Sequence, residues 1–166
     1  MDLPANAEEI TTTRLTLEPL AVEHAEEMAE ALADPGLHTF IGGSPATAGQ
    51  LRDRYARMIA GPAPGGGEQW LNWVIRLDGA LVGYVQATVT PPRAAVAWVV
   101  GTPWQGGGIA TEAARAMLTW LAERGVTAFE ATIHPEHAAS SAVARRIGLV
   151  PTDERAEGEV VWRSVQ

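Results

Sequence analysis

The run Gln105-Gly106-Gly107-Gly108-Ile109-Ala110-Thr111-Glu112-Ala113 constrains this chain more than any other stretch. It follows the apolar segment Val96-Ala97-Trp98-Val99-Val100 and leads into an amphipathic helix predicted over Thr111–Arg124. A glycine-rich turn between a strand and a helix leaves the first N–H groups of the helix unpaired. The helix dipole adds partial positive charge at the same end. That combination binds anions, so a phosphorylated ligand is expected on this turn. The plain alternative is a flexible connector, and the ordered strand and helix on either side argue against it.

The flanking segments have readable periods. Arg14–Glu18 alternates and predicts a first strand, stopped by Pro19. Val22–Ala33 has high helix propensity and ends at Asp34-Pro35-Gly36, while Thr47–Ala60 carries Leu51, Tyr55, Met58 and Ile59 on one face. Gly61–Gly67 reads as a flexible surface loop. Leu71, Trp73, Ile75 and Leu77 alternate as a half-buried strand, Asp78-Gly79 signals a hairpin, and the chain returns over Leu81–Thr90. Pro91-Pro92-Arg93 turns into Ala94–Val100, which completes an antiparallel meander.

After the glycine turn, Ile109, Ala113, Met117, Trp120 and Leu121 are expected to face inward, with Gly125 ending the helix. A strand over Ala128–His134, a helix over Ala138–Ile147 and a last strand over Glu159–Val165 follow, with one more strand available at Val150–Arg155. The order β-α-α-β-β-β-α-β-α-β predicts an α/β chain with a mixed sheet and helices on both faces. The run from Ala94 to His134 predicts a right-handed crossover between parallel strands. Trp70, Trp73, Trp98, Trp104, Trp120 and Trp162 are expected in the core or on the sheet surface.

A length of 166 residues suits one domain with a substantial core, expected over residues 1–166 with 1–10 as a loose N-terminal segment. The chain holds no cysteine, which excludes disulfides, thiolate metal sites and a cysteine nucleophile. Every one of its 12 basic residues is arginine, which excludes a Schiff base and a P-loop lysine. The formal charge of −8 speaks against nucleic acid as a partner. No long apolar run or signal-like N-terminus is present, so no membrane association and a cytoplasmic location are expected. Residues 1–70 hold most of the acid excess, and Glu26 and Glu27 on the first helix are candidates for steering a cationic acceptor.

Four blocks together resemble one family. Gln105-x-x-Gly108-x-Ala110 after a meander is similar to the coenzyme A pyrophosphate loop of the GNAT N-acetyltransferase superfamily. The stretch Ile133-His134-Pro135-Glu136-His137, with the helix through Ile147-Gly148-Leu149, looks like the second half of that family's pattern. Thr13-Arg14-Leu15-x-Leu17 and Ala110-Thr111-Glu112-Ala113 resemble its Rim-type, ribosomal-protein-alanine acetyltransferase branch.

The resemblance implies a GNAT-like fold, a central twisted sheet of about six to seven strands, and an N-acetyltransferase that uses acetyl-CoA and no metal. It implies a monomer or homodimer acting on a primary amine, either a small molecule or a protein N-terminus. Acetyl-CoA would enter where Ala94–Val100 and Ala128–His134 splay apart. Backbone groups of Trp98, Val99 and Val100 would bond the pantetheine, as an added strand would. Gln105, Gly106, Gly107, Gly108, Ile109, Ala110 and Thr111 would hold the pyrophosphate, with His137 and Ser140 completing the coenzyme site. Arg145 and Arg146 are candidates for the 3′-phosphate or for a solvated face.

The chain departs from the pattern at the chemistry. His137 stands where an asparagine is common, Ala144 where many members place the tyrosine acid, and Ala95 where Rim-type strands carry a glutamate. Ser140 is then the candidate acid, against an ordinary backbone-bonding role, and His134 the candidate base, against a structural strand-end role. Glu68 and Asn72, which flank the start of the Trp70–Trp73 strand, and His38 and Glu23, near the expected acceptor side, are further candidates for the base. The loop around Gly65 and the stretch Phe40-Ile41-Gly42-Gly43 are expected to shape the acceptor mouth. The alternatives are a coenzyme-A-sensing module with little turnover and an enzyme using another acyl donor such as succinyl-CoA. A P-loop or dinucleotide fold is excluded by the absence of Lys-Ser/Thr after the glycines and by the preceding meander.

Overall fold

The computed structural model describes residues 3–41, 43–63 and 65–165, with the side chains of Phe40 and Ile41 outside that set. Its strands are β1 (Ile10–Thr11), β2 (Leu15–Pro19), β3 (Gln69–Leu77), β4 (Ala80–Thr90), β5 (Arg93–Val100), β6 (Ala128–Ile133), β7 (Leu149–Ala156) and β8 (Glu159–Ser164). Its α-helices are α1 (Ala25–Ala31), α2 (His38–Ile41), α3 (Ala48–Ala60), α4 (Ile109–Glu123) and α5 (Ala138–Arg146).

All strands join one sheet in the order β1-β2-β3-β4-β5-β6-β8-β7. β5 and β6 pair in parallel, and the other neighbours pair antiparallel. The count is eight, against about six to seven expected. β1 is only two residues long, too short to show alternation. β7 reads Leu-Val-Pro-Thr-Asp-Glu-Arg-Ala, a polar edge strand that tolerates Pro151 because only one side is paired.

Side-chain alternation sorts the sheet into two faces. Leu71, Trp73, Ile75, Val85, Trp98, Ile133 and Trp162 pack with Met117, Trp120, Leu121, Val143 and Ala144 of α4 and α5. Val74 and Leu81 pack on the opposite face with Ala25 and Met28 of α1 and Leu51 and Tyr55 of α3. The five inward residues expected on α4 are all buried. Trp120 meets Trp73 edge-on at 5.4 Å, and the Arg124 guanidinium lies 4.0 Å from the Trp120 ring centre.

Local chemistry sets the element ends. Thr47 caps α3 by accepting from Gln50 N–H while the Gln50 side chain bonds Thr47 N–H, a reciprocal capping box. The first turn predicted at Val22 is a 3-10 turn, and the α-helix begins at Ala25. α4 begins at Ile109, two residues before the expected Thr111, because Gly108 itself serves as the cap. Within the segment expected to be loose, two carbonyls are bonded: Trp73 Nε1 donates to the Glu8 carbonyl at 2.7 Å, and the Gln69 side chain donates to the Pro4 carbonyl. Leu3 and Ala7 pack against the core.

Candidate active site

The centre of the sheet opens into a slot. β5 and β6 are paired only at Arg93–Ala128, Ala94–Phe129 and Ala95–Glu130, although β5 continues to Val100 and β6 to Ile133. β4 carries an extra residue opposite β3, since Ile75 faces Gly83 while Arg76 faces Leu81. A bulge bends its strand. β5 stays paired with β4 as far as Val100 and so follows it away from β6.

Strand polarity decides which backbone groups face the slot. Gly101 N–H donates to the Val82 carbonyl on β4 at 2.7 Å. Alternation then turns the backbone of Val99 and Ala97 to β4 and that of Trp98 and Val100 to the slot. A Cβ on Gly83 would lie 2.1 Å from the Val99 carbonyl, in keeping with this direction. Of the three residues expected to meet pantetheine by their backbones, Trp98 and Val100 turn theirs to the slot, and Val99 turns its own to β4 and lines the slot otherwise. The Val100 carbonyl already accepts from Gln105 Nε2 at 2.9 Å, so Gln105 braces the turn to the strand.

On one side of the slot lies a groove of about 780 Å³ between the N-terminal ends of α4 and α5. Trp98, Gln105, Gly106, Gly108, Ile109, Ala110 and Thr111 line it from one wall, and His137, Ser140 and Arg146 from the other. Gly106 (φ 85°) and Gly108 (φ 79°) hold left-handed backbone that other residues reach only under strain. The Gly108 carbonyl accepts the first helical bond, from Glu112 N–H at 3.0 Å. No side chain caps α4, so its leading N–H groups are directed outward at the positive end of a 15-residue helix. Thr111 is 8% exposed, and its Oγ1 is buried without a hydrogen-bond partner among the described residues. An orphaned hydroxyl beside unpaired N–H groups fits a bound phosphate oxygen.

Glu112, in the first turn of α4, would repel such a phosphate if left alone. Its Oε1 accepts from Arg14 Nε at 2.7 Å, and its Oε2 from Thr12 Oγ1 at 2.6 Å and Arg14 N–H at 3.0 Å. Burial pushes the Glu112 pKa up, but the bonds from Thr12 and Arg14 outweigh it and hold the carboxyl below its ordinary value. The Arg14 and Glu112 blocks of the sequence thus form a single lock.

The slot itself, about 220 Å³, is lined by Tyr84, Trp98, Val99, His134, His137, Ser140 and Glu159, among others. His137 is half-buried. Burial lowers its pKa, His134 lowers it further, and Glu159 opposes them, so the ring is neutral at pH 7. Ser140 Oγ stands 3.4 Å from His137 Nε2. His134 Nδ1 accepts from Glu136 N–H at 3.1 Å. A neutral imidazole has one lone pair, so this bond leaves Nε2 carrying the proton. His134, the candidate base, thus holds its Nδ1 against the backbone.

The other candidates separate cleanly. Asn72 and His38 line a third cavity, of about 550 Å³, under α3 on the opposite face of the sheet. Gly43 and Ser44 border that cavity, while Gly42 and the side chains of Phe40 and Ile41 lie outside the described residues. Glu68 bonds Trp70 Nε1 at 2.7 Å, and the loop around Gly65 borders a separate hollow beside Ala5 and Asn6, not the cavity under α3. Glu23 is exposed on the turn before α1. Arg145 stacks 5.1 Å from the Trp162 ring centre, which leaves Arg146 as the groove arginine. Glu26 pairs with Arg52 at 3.2 Å, and Glu27 accepts from Leu81 N–H at 2.7 Å, so both acids have structural partners.

Three cavity residues were not singled out from sequence. Tyr84 lines both the slot and the cavity under α3, and Arg54 and Arg57 line that cavity too. Tyr84 alternates outward with Gln86 and Thr88 along β4, a signal that was present but is interrupted by the bulge at Gly83. Among the described residues, no group of three or more His, Asp or Glu is placed to hold a metal, and no helix is long and apolar enough to cross a membrane.

Comparison with known proteins agrees with this geometry. The family model described as the acetyltransferase (GNAT) domain matches residues 14–150. No curated protein matches the chain by sequence. Among solved structures, an acetyltransferase from Agrobacterium tumefaciens is 26% identical, with a TM-score of 0.77 over 100% of this chain and 99% of that one. Mycobacterium smegmatis RimJ, solved in complex with CoA-disulfide, is 20% identical, with a TM-score of 0.78 over 94% of this chain and 86% of that one. An acetyl transferase from Salmonella typhimurium, which modifies the N-terminal serine of the 50S ribosomal subunit protein L7/L12, is 19% identical, with a TM-score of 0.78 over 96% of this chain and 99% of that one.

Proposed function

The chain belongs to the GNAT family of acyl-CoA-dependent acetyltransferases, and on that premise we propose that it moves acetyl from acetyl-CoA to a primary amine by direct attack. The observation that carries this reading is the continuity of the three cavities. Trp98, Val99, His137 and Ser140 line both groove and slot, and Tyr84 lines both slot and acceptor cavity. A donor seated from the α4 and α5 face and an amine seated from the α3 face would meet between β5 and β6.

The coenzyme supplies a thioester. The neutral amine forms a bond to its carbonyl carbon, the C–S bond then breaks, and the thiolate takes up one proton while the nitrogen loses one. The chain's residues have separable tasks in this. The α4 N-terminus and Thr111 hold the pyrophosphate, and the Trp98 and Val100 backbones align the pantetheine as a neighbouring strand would. Ser140, beside neutral His137, is placed to hand a proton to the leaving sulfur. Ala95 and Ala97 stand exposed on the open face and β5 offers no carboxylate as a base, so the amine proton leaves to water or to Glu159, which lines the slot. Alignment in the slot then carries most of the rate enhancement.

The test is calorimetry with acetyl-CoA, succinyl-CoA and free CoA, followed by thiol release with a panel of primary amines. Tight acetyl-CoA binding with amine-dependent thiol release is expected. Binding with no release across the panel would favour a coenzyme-sensing module, preferential turnover of succinyl-CoA would change the donor, and no binding would end the reading.

A further inference from the structure

The cavity under α3 presents a cationic wall in an acidic protein. The chain has 20 acids against 12 arginines, yet Arg54 and Arg57 line this cavity against a single carboxylate, Asp53. Among the described residues, the ion pairs engage Arg14, Arg52, Arg76, Arg124 and Arg163, and neither cavity arginine. Arg52, two residues from Arg54, turns to Glu26 and does not line the cavity.

Tyr55 and Tyr84 share the cavity with Arg54. Burial pushes the Tyr55 hydroxyl up to about 12, with Tyr84 adding to the shift and Arg54 opposing it. Burial likewise raises Tyr84, again against the Arg54 charge. Two consequences follow from those causes. Arg54 lies within electrostatic reach of both phenols, and both phenols keep their protons at neutral pH. Exposed Arg54 and the phenols of Tyr55 and Tyr84 thus line the same cavity as donors, with the amides of Asn72 and Gln86 on the sheet beside them. A planar guanidinium matches a carboxylate through two parallel bonds. Arg54 and Arg57 against Asp53 leave one net positive charge, with His38 also in the lining, which suits the single charge of a carboxylate. Tyr84 also faces the slot, so the anion and the reacting nitrogen fit within one small molecule or one terminal residue.

We propose that this cavity holds the acceptor by a carboxylate, with Arg54 as the selecting residue, so that the amines acetylated here are amino acids or similar amino carboxylates. The proposal rests on the acetyl-transfer reading above and names its substrate class.

The test uses product-like probes on the full chain: N-acetylglycine, N-acetyl-β-alanine, N-acetyl-4-aminobutyrate and N-acetylaspartate, their carboxamides, and N-acetyl-O-phosphoserine. Dissociation constants are measured by calorimetry or NMR titration. At least one acid should bind about 10-fold or more tightly than its carboxamide, about 1.4 kcal/mol. Arg54→Gln should erase that difference, Arg54→Lys should restore part of it, and Arg52→Gln should change nothing. Equal binding of acids and carboxamides, an Arg54→Gln variant that weakens both alike, or a phosphate probe that binds best would each overturn the proposal. Acetyl-CoA affinity, measured on the same samples, keeps the two readings apart. Coenzyme binding with no acid preference defeats this proposal alone. An Arg54-dependent acid preference without coenzyme binding defeats the transfer reading and leaves the carboxylate subsite standing.

Discussion

The coenzyme side and the acceptor side of the slot are made of different material. On the coenzyme side the working groups are mostly backbone: Trp98 and Val100 on β5, and the N–H groups from Gly106 to Thr111. They come from one short run of chain, at places where strand and helix geometry leaves main-chain groups unpaired. On the acceptor side the working groups are side chains of Arg54, Tyr55, Asn72, Tyr84 and Gln86, gathered from α3, β3 and β4. A backbone donor survives nearly any substitution unless the new side chain blocks it. A side-chain donor is lost with one change. On the proposed reading, this scaffold keeps its donor while altering its acceptor at low cost, and the chemical identity of the substrate resides on the α3 side.

Substitutions on each side should separate these properties. Gly108→Glu is the largest expected effect on the coenzyme side. A Cβ at Gly108 would meet only Arg14, at 3.6 Å, so packing tolerates it, while the positive φ adds about 1 kcal/mol of strain. The carboxylate would project at the α4 N-terminus, and acetyl-CoA affinity by calorimetry should fall at least ~100-fold, about 2.7 kcal/mol, with an unchanged circular dichroism spectrum. A folded variant that binds normally would dismantle the coenzyme half of the comparison.

Ser140→Ala should come next. It should lower kcat by about 10²-fold, far more than it weakens acetyl-CoA binding, the size expected for losing a positioned acid. An unaltered kcat would show that water protonates the thiolate and that Ser140 merely accompanies His137.

The smallest effect expected is on stability. Glu112→Gln should cost about 1–2 kcal/mol at pH 7, because it weakens hydrogen bonds to a charged group. The sign of the pH dependence follows from a folded-state pKa held below the ordinary 4.5. The unfolded chain binds the proton first, so the contribution is complete above the ordinary carboxylate range and fades as pH falls through the folded value. Urea denaturation of wild type should therefore lose stability on the acid side faster than the variant does. Parallel curves would assign the acid limb to other carboxylates, of which Glu18 is one, held down by Arg76 and His24 against its burial.

The same contrast explains what could be read from the sequence. The meander, the glycine turn and α4 announce themselves by local pattern, because alternation, turn chemistry and helical periodicity act over a few residues. Trp98, Gly108 and Thr111 were accessible for that reason. The direction of the Val99 carbonyl was not, since it depends on which edge of β5 is occupied. The donor state of His134 depends on one backbone N–H two residues away, which a strand-end histidine does not advertise. Nothing in the sequence sets Arg54 apart from the other charges of α3, and it shares a cavity with Tyr84 because that helix packs against the sheet. The polar β7 was offered only as one further strand at Val150–Arg155, and the two-residue β1 is too short to show the alternation by which strands are recognised.

The lock between Arg14 and Glu112 joins positions 98 residues apart. Closing so long a loop costs chain entropy that grows only slowly with length, but that cost falls before the contact can repay it. The helix start at Gly108 can form locally. Its orientation toward β2 waits until β2 has joined the meander through β3. Coenzyme affinity is then a late folding signal, and gain of acetyl-CoA binding during refolding should lag behind the appearance of helical signal.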